Sequence, residues 1–130
     1  MAGETNLAKL LKNIQPHLQE GNYVFVTLKS VDHIPRTDTL LEFKEQEGTT
    51  LILEQSKADL LGLSYDFVCA WITLEVHSAL EAVGLTAAFA TALTQHNISC
   101  NVVAGYYHDH IFVGKKDAEK AMEVLEGLVD

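Results

Sequence analysis

The residues of this chain whose types and spacing suit chemistry lie in two short stretches. His108-Asp109-His110 sets two imidazoles two positions apart around a carboxylate. On an extended strand the histidines share one face, and such a pair can ligate a metal or move protons near neutral pH. A metal site needs a third ligand, His77 or Asp109, and the order of the chain brings none reliably near; the alternative is a pair of surface or pairing histidines. The second stretch centres on Gly84, placed to open a helix. The free N–H groups of residues 84–86 would offer partial positive charge to a carboxylate, and the missing side chain would admit it. A turn glycine that supplies a φ forbidden to other residues explains Gly84 as simply. If Glu81 or Asp109 converges on that helix start, it can take an ammonium or a basic side chain. The plainer readings are that Asp109 organises the turn before the next strand and that Glu81 is a solvated loop carboxylate.

Covalent and phosphate chemistry find little support. No GxSxG occurs, and His77-Ser78, neighbours on an extended segment, point to opposite sides. GxxxxGK is absent too, so Lys115-Lys116 after Gly114 reads as a solvated helix entry. No cofactor is implied.

The elements that must position these residues follow from periodicity. Ala70 to Val76 alternates Ala70, Ile72, Leu74 and Val76 against Trp71, Thr73, Glu75 and His77, a strand with one buried and one mixed face. Leu85, Phe89 and Leu93, with Ala88 and Ala92, make the apolar stripe of a helix that Asn97 ends. Ile98 to Ala104 and His110 to Val113 read as strands joined by the connection Gly105–Asp109. This βαββ order, followed by the stripe Ala118, Ala121, Met122, Leu125 and Leu128 of a last helix, is most of a ferredoxin-like unit.

Upstream, Thr5 or Asn6 caps a helix with Leu7, Leu10, Leu11 and Ile14 on one face, ended by Pro16. Asn22 to Lys29 is a strand; Ser30 to Thr39 is a loop holding Pro35; Leu40 to Gln46 and Thr50 to Glu54 form a hairpin about Glu47-Gly48-Thr49. Ser56-Lys57-Ala58-Asp59 looks like a capping box for a short helix stopped by Gly62. Comparing halves exposes a weak repeat, with Tyr23–Leu28 matching Ala70–Leu74 and Thr50–Gly62 matching His110–Gly127. Each half is then βxββα, x being a loop in the first and a helix in the second. The second half lacks its final strand, and the simplest completion is that each half borrows the other's first strand.

The run Ser78-Ala79-Leu80-Glu81-Ala82-Val83-Gly84-Leu85-Thr86-Ala87-Ala88, with Leu93 and Asn97-Ile98-Ser99, resembles the strand-to-helix signature of ACT domains, small regulatory modules that bind amino acids. The likeness extends through Tyr106-Tyr107-His108-Asp109-His110-Ile111-Phe112-Val113 to the end of the chain, and is similar to a bacterial ACT-like family without assigned activity and, distantly, to ACT modules of aspartate kinases and amino-acid sensors. Val83-Gly84 stands where Pro-Gly is usual, and the turn over residues 77–82 is longer than usual. In related sensors an acidic residue at the position matching Asp109 takes part in binding, so the resemblance implies ligand contacts at Asp109 and at the helix start Gly84-Leu85. Glu81 joins the candidate set only by its place in the turn before Gly84, where the longer turn leaves the resemblance without a residue-by-residue match.

Composition bounds the rest. With 130 residues, 48% hydrophobic and 21% charged, the chain is globular. Nine Lys and Arg against eighteen Asp and Glu leave a net charge of −9, which repels nucleic acid and anionic membranes. No apolar run reaches membrane-spanning length. Cys69 and Cys100 fall in strand patterns without CxxC, and with no secretory signal they read as reduced thiols of a cytoplasmic protein; a disulfide between neighbouring strands is the alternative. The expectation is thus an α+β chain of two ferredoxin-like, ACT-like units, residues 1–66 including an N-terminal helix and residues 67–130, with antiparallel sheets and helices on one side. Its expected role is that of a non-enzymatic, homodimeric regulatory protein binding an amino acid at the seam between units. The rivals are an interaction module without ligand, favoured if Trp71, Tyr106 or Tyr107 fills that seam, and a small enzyme using His108, Asp109 and His110.

Overall fold

A computed structural model describes residues 6–75 and 83–128. The expectations for Glu81, for His77-Ser78 and for Val76 as the end of its strand lie outside the described residues. In chain order the elements are α1 (Leu7–Asn13), β1 (Pro16–Leu18), β2 (Tyr23–Leu28), β3 (Leu41–Lys44), β4 (Thr49–Glu54), α2 (Gln55–Leu60), β5 (Val68–Leu74), α3 (Leu85–Gln95), β6 (Asn101–Ala104), β7 (Asp109–Gly114) and α4 (Ala118–Gly127). They form two compact units, one of residues Glu20–Cys69 and one of Met1–Gln19 with Ala70–Asp130.

In the smaller unit β2 pairs antiparallel with β4 along its length, from Tyr23 opposite Glu54 to Leu28 opposite Thr49. The β3–β4 hairpin turns where the Glu45 N–H bonds the Gly48 carbonyl. On the other side of β2, Val24 and Tyr23 pair with Val68 and Cys69, giving the order β3–β4–β2–β5. Alternation sends Val24, Val26, Leu51 and Leu53 to one face, where they meet Ala58 of α2 and Ile34 of the loop that replaces a first helix. The expected cap at Ser56 is displaced: the N-cap of α2 is Glu54, two residues earlier, so Ser56 lies within the helix. Gly62, at φ +69, ends it as expected, with the Leu63 N–H returning to the Ala58 carbonyl.

The larger unit is built around β5. Pro16, His17 and Leu18 of β1 pair with Leu74, Thr73 and Ile72 on one edge, and β7 lies on the other, giving β1–β5–β7–β6. Both orders are those of a ferredoxin-like sheet whose fourth strand comes from outside the contiguous βxββα run. For the smaller unit that strand is the start of β5, as expected. For the larger it is β1, rather than the Tyr23–Leu28 strand that the repeat suggested.

One face of the larger sheet carries Ala70, Ile72, Leu74, Ile111 and Val113 against Leu85, Phe89 and Leu93 of α3 and Ala121 and Leu125 of α4. Ile14 is sealed into the same core at 2% exposure, with Leu11 packed beside it, so α1 finds here the partner surface that its apolar face requires. Asn6 caps α1, its Oδ1 accepting from the Lys9 N–H at 3.1 Å. The expected strand from Ile98 begins later, at Asn101. Asn97 takes φ +59, the Ile98 N–H returns to the Leu93 carbonyl, and Ile98 drops into the core. Cys100 therefore precedes the strand instead of lying in it, and both cysteines are free thiols. Among the described residues no helix is long and apolar enough to cross a membrane.

Candidate functional site

The larger unit brings the chemistry-bearing residues to one end of its sheet. Thr73 lies against His110, and Trp71 stacks on Phe112 with ring centres 6.3 Å apart, so β5 and β7 run in opposite directions. The end of β5 therefore adjoins Asp109, the start of β7. Helix α3 hands the chain to β6 at Asn101, opposite Phe112, so its other terminus, Gly84, belongs to the Asp109 end. Asp109 and Gly84 are 25 positions apart in sequence and share an end because a βαββ unit returns both loops to it.

Gly84 is the N-cap of α3 with φ +99 and ψ −18, a conformation that side chains other than glycine rarely adopt. The first intrahelical bond runs from the Ala88 N–H to the Gly84 carbonyl, so the N–H groups of Leu85, Thr86 and Ala87 lack an intrahelical acceptor. The Leu85 side chain is committed to the core, which leaves its backbone as the part that a ligand can use. Above Gly84 sits Leu7: a Cβ built on the glycine would stand 3.1 Å from Leu7 Cδ2. Nothing in the local sequence pairs Leu7 with Gly84, and this neighbour was invisible before folding.

Asp109 is half-buried at the start of β7, and burial pushes its carboxyl above the ordinary value while His110 draws it back. His110 is shifted down, first by burial and then by His108, against the pull of Asp109. Its Nδ1 accepts the indole N–H of Trp71 at 3.0 Å and lies 3.1 Å from Thr73 Oγ1, which in turn accepts from Gln19 Nε2 at 3.0 Å. The ring of His108 stands edge-on to His110 at 6.5 Å, and its Nδ1 is buried without a hydrogen-bond partner among the described residues. Among the described residues no three metal-ligating side chains converge. Tyr106 and Tyr107, whose burial would have favoured a ligand-free module, are 62% and 65% exposed. Sequence reading missed Gln19, Thr73 and Trp71 as partners of His110; the strand alternation that puts Trp71 and Thr73 off the core face was the available signal. An open groove of about 330 Å³ between α3 and α4, lined by Ala92, His96, Lys120, Glu123, Val124 and Leu128 among others, holds none of the candidate ligand or catalytic residues nominated by sequence.

Two family models, both described as ACT domain, match in tandem over residues 2–70 and 67–127. The chain belongs to the ACT-domain family. Among curated proteins none matches it. This ACT protein is 47% identical to a Vibrio cholerae protein of unknown function, described as a possible transport protein; the similarity covers 95% of this chain and 96% of that one at a TM-score of 0.86. It shares its fold with an aspartate kinase of Clostridium acetobutylicum, at 13% identity and TM-score 0.64 over 90% of this chain and 34% of the kinase. It also shares it with the regulatory subunit of Thermus thermophilus aspartate kinase in its ligand-free form, at 7% identity and TM-score 0.60 over 92% of this chain and all of that one. ACT domains are typically ligand-binding regulatory modules, and this chain carries two of them in tandem.

Proposed function

We propose that this tandem ACT protein is a non-catalytic regulator that binds an amino acid at the Gly84–Asp109 end of its larger unit and works as a homodimer in the cytoplasm. The observation that carries the reading is the pairing of a helix start with a half-buried carboxylate at one end of one sheet. An α-amino acid presents a carboxylate and an ammonium only a few ångströms apart. Backbone N–H groups of Leu85, Thr86 and Ala87 suit the first, and Asp109 suits the second. Glu81 is the proposed second acid. The regulatory aspartate-kinase subunit among the fold neighbours is in keeping with such a role. Catalysis by His110 is less well served, since Trp71 already occupies the Nδ1 lone pair that a general base would use.

A thermal-shift screen against the twenty amino acids identifies the ligand, because binding to the folded state alone raises the melting temperature. Calorimetry then compares Asp109→Asn with the parent. Loss of a charge-assisted hydrogen bond weakens binding by roughly 1.5–3 kcal/mol. In the parent, affinity falls with falling pH as the carboxyl of Asp109 takes a proton, at a value above its ordinary 3.8. Unchanged affinity in Asp109→Asn moves the site elsewhere, and a silent screen removes the amino-acid reading.

A further inference from the structure

Ile111 and Val113 of β7 point into the core, so His110 and Phe112 lie on the opposite face with Trp71 and Thr73 of β5. An indole N–H can only donate. His110 Nδ1, 3.0 Å from it, must therefore be the acceptor, and the proton of the neutral ring sits on Nε2. That nitrogen faces Gly105, where a Cβ would come within 3.1 Å of it and within 2.9 Å of the His108 carbonyl. The glycine leaves room for the ring. Gln19 ties a third segment to the cluster, its side chain donating to Thr73 Oγ1 and its backbone N–H to the Trp71 carbonyl at 2.9 Å.

We propose that His110 is a proton-operated latch: neutral, it holds the Trp71 indole to β7; protonated on Nδ1, it releases the indole and donates to Thr73 instead. The exchange follows from donor and acceptor counting. A proton on Nδ1 faces the indole N–H donor to donor, whereas a hydroxyl oxygen has two lone pairs and accepts from the imidazolium and from Gln19 together. The groups around the ring set where it titrates. Asp109 on β7 favours the cation, and His108 from the preceding turn opposes it. Trp71 and Thr73 from β5 and Gln19 carry no charge, and His17 of β1 stands opposite Thr73 in the pairing. Burial adds to the opposition of His108, so the latch holds at neutral pH and opens below the usual imidazole value of 6.5. Opening breaks the Trp71–His110 hydrogen bond while Gln19, Thr73 and His110 stay linked and the stack of Trp71 on Phe112 remains.

Trp71 is the sole tryptophan, so its fluorescence reads the latch directly. The full chain is titrated from pH 8 to pH 4 while far-UV circular dichroism follows the fold and the nitrogen shifts of His110 report its proton. The expected result is a one-proton change in emission below pH 6.5 that coincides with the His110 shifts, with the Nε2–H tautomer above it. His110→Asn keeps an acceptor near the place of Nδ1 and does not titrate, so it removes the transition and keeps the fold. Thr73→Val takes away the acceptor of the protonated ring and lowers the midpoint by about half a unit, about threefold in proton affinity. An emission transition that survives His110→Asn, emission that stays flat while His110 protonates, or an Nδ1–H tautomer at pH 8 overturns the proposal. A merely structural histidine would leave the midpoint indifferent to Thr73.

Discussion

Replacing Gly84 by alanine separates two reasons for a glycine at the start of α3: its backbone conformation and its contact with Leu7. At φ +99 a residue with a Cβ is strained by about 1–2 kcal/mol relative to glycine. The narrower choice of conformations open to alanine in the unfolded chain offsets only part of this. The contact is the smaller effect. The new methyl would lie 3.1 Å from Leu7 Cδ2, the far end of a flexible side chain that is 36% exposed, so a shift of a few tenths of an ångström relieves it at a cost of about 0.5 kcal/mol or less. Gly84→Ala should therefore lower stability by about 1–2 kcal/mol, most of it retained when Leu7 is also alanine. A double-mutant cycle in urea, followed by circular dichroism, gives the coupling directly, with an expected value of about 0.5 kcal/mol. If Gly84→Ala costs nothing, the backbone argument is wrong. If the whole cost disappears in the Leu7→Ala background, the glycine is there for the contact, and the positive φ is incidental.

Two further outcomes test the packing. Ile14→Ala should cost about 2–5 kcal/mol in chemical denaturation, because Ile14 lies in the core of the larger unit; a loss below about 1 kcal/mol would mean that residues 6–19 only drape over it. Thiol labelling should leave Cys69 untouched in the folded protein, since it is fully buried, donates to the Tyr23 carbonyl and has its thiol pushed up to about 12 by burial. Cys100, partly exposed and raised to about 11 by burial, should react slowly at neutral pH and faster as pH rises; rapid labelling of Cys69 without denaturant would contradict the packing around β5.

The elements that carry their own periodicity were legible in the sequence. Tyr23–Leu28, Ala70–Leu74 and the Leu85–Phe89–Leu93 stripe declare a strand or a helix because burial of one face imposes a period on neighbouring residues. Asn97 and Gly62 likewise mark stops through their own backbone preferences. The repeat even showed that a strand was missing. Its donor was not legible: β1 has three residues, too few for a pattern, and becomes a strand only because the edge of β5 offers it hydrogen bonds. In the candidate site, the sequence nominated Gly84 by its place before a stripe and Asp109 by its place before a strand. Leu7 above Gly84 and the bond from Trp71 to His110, 39 positions apart, came only from the tertiary structure. Local spacing constrains which face a side chain takes, whereas the neighbour across that face is chosen by how distant strands pair.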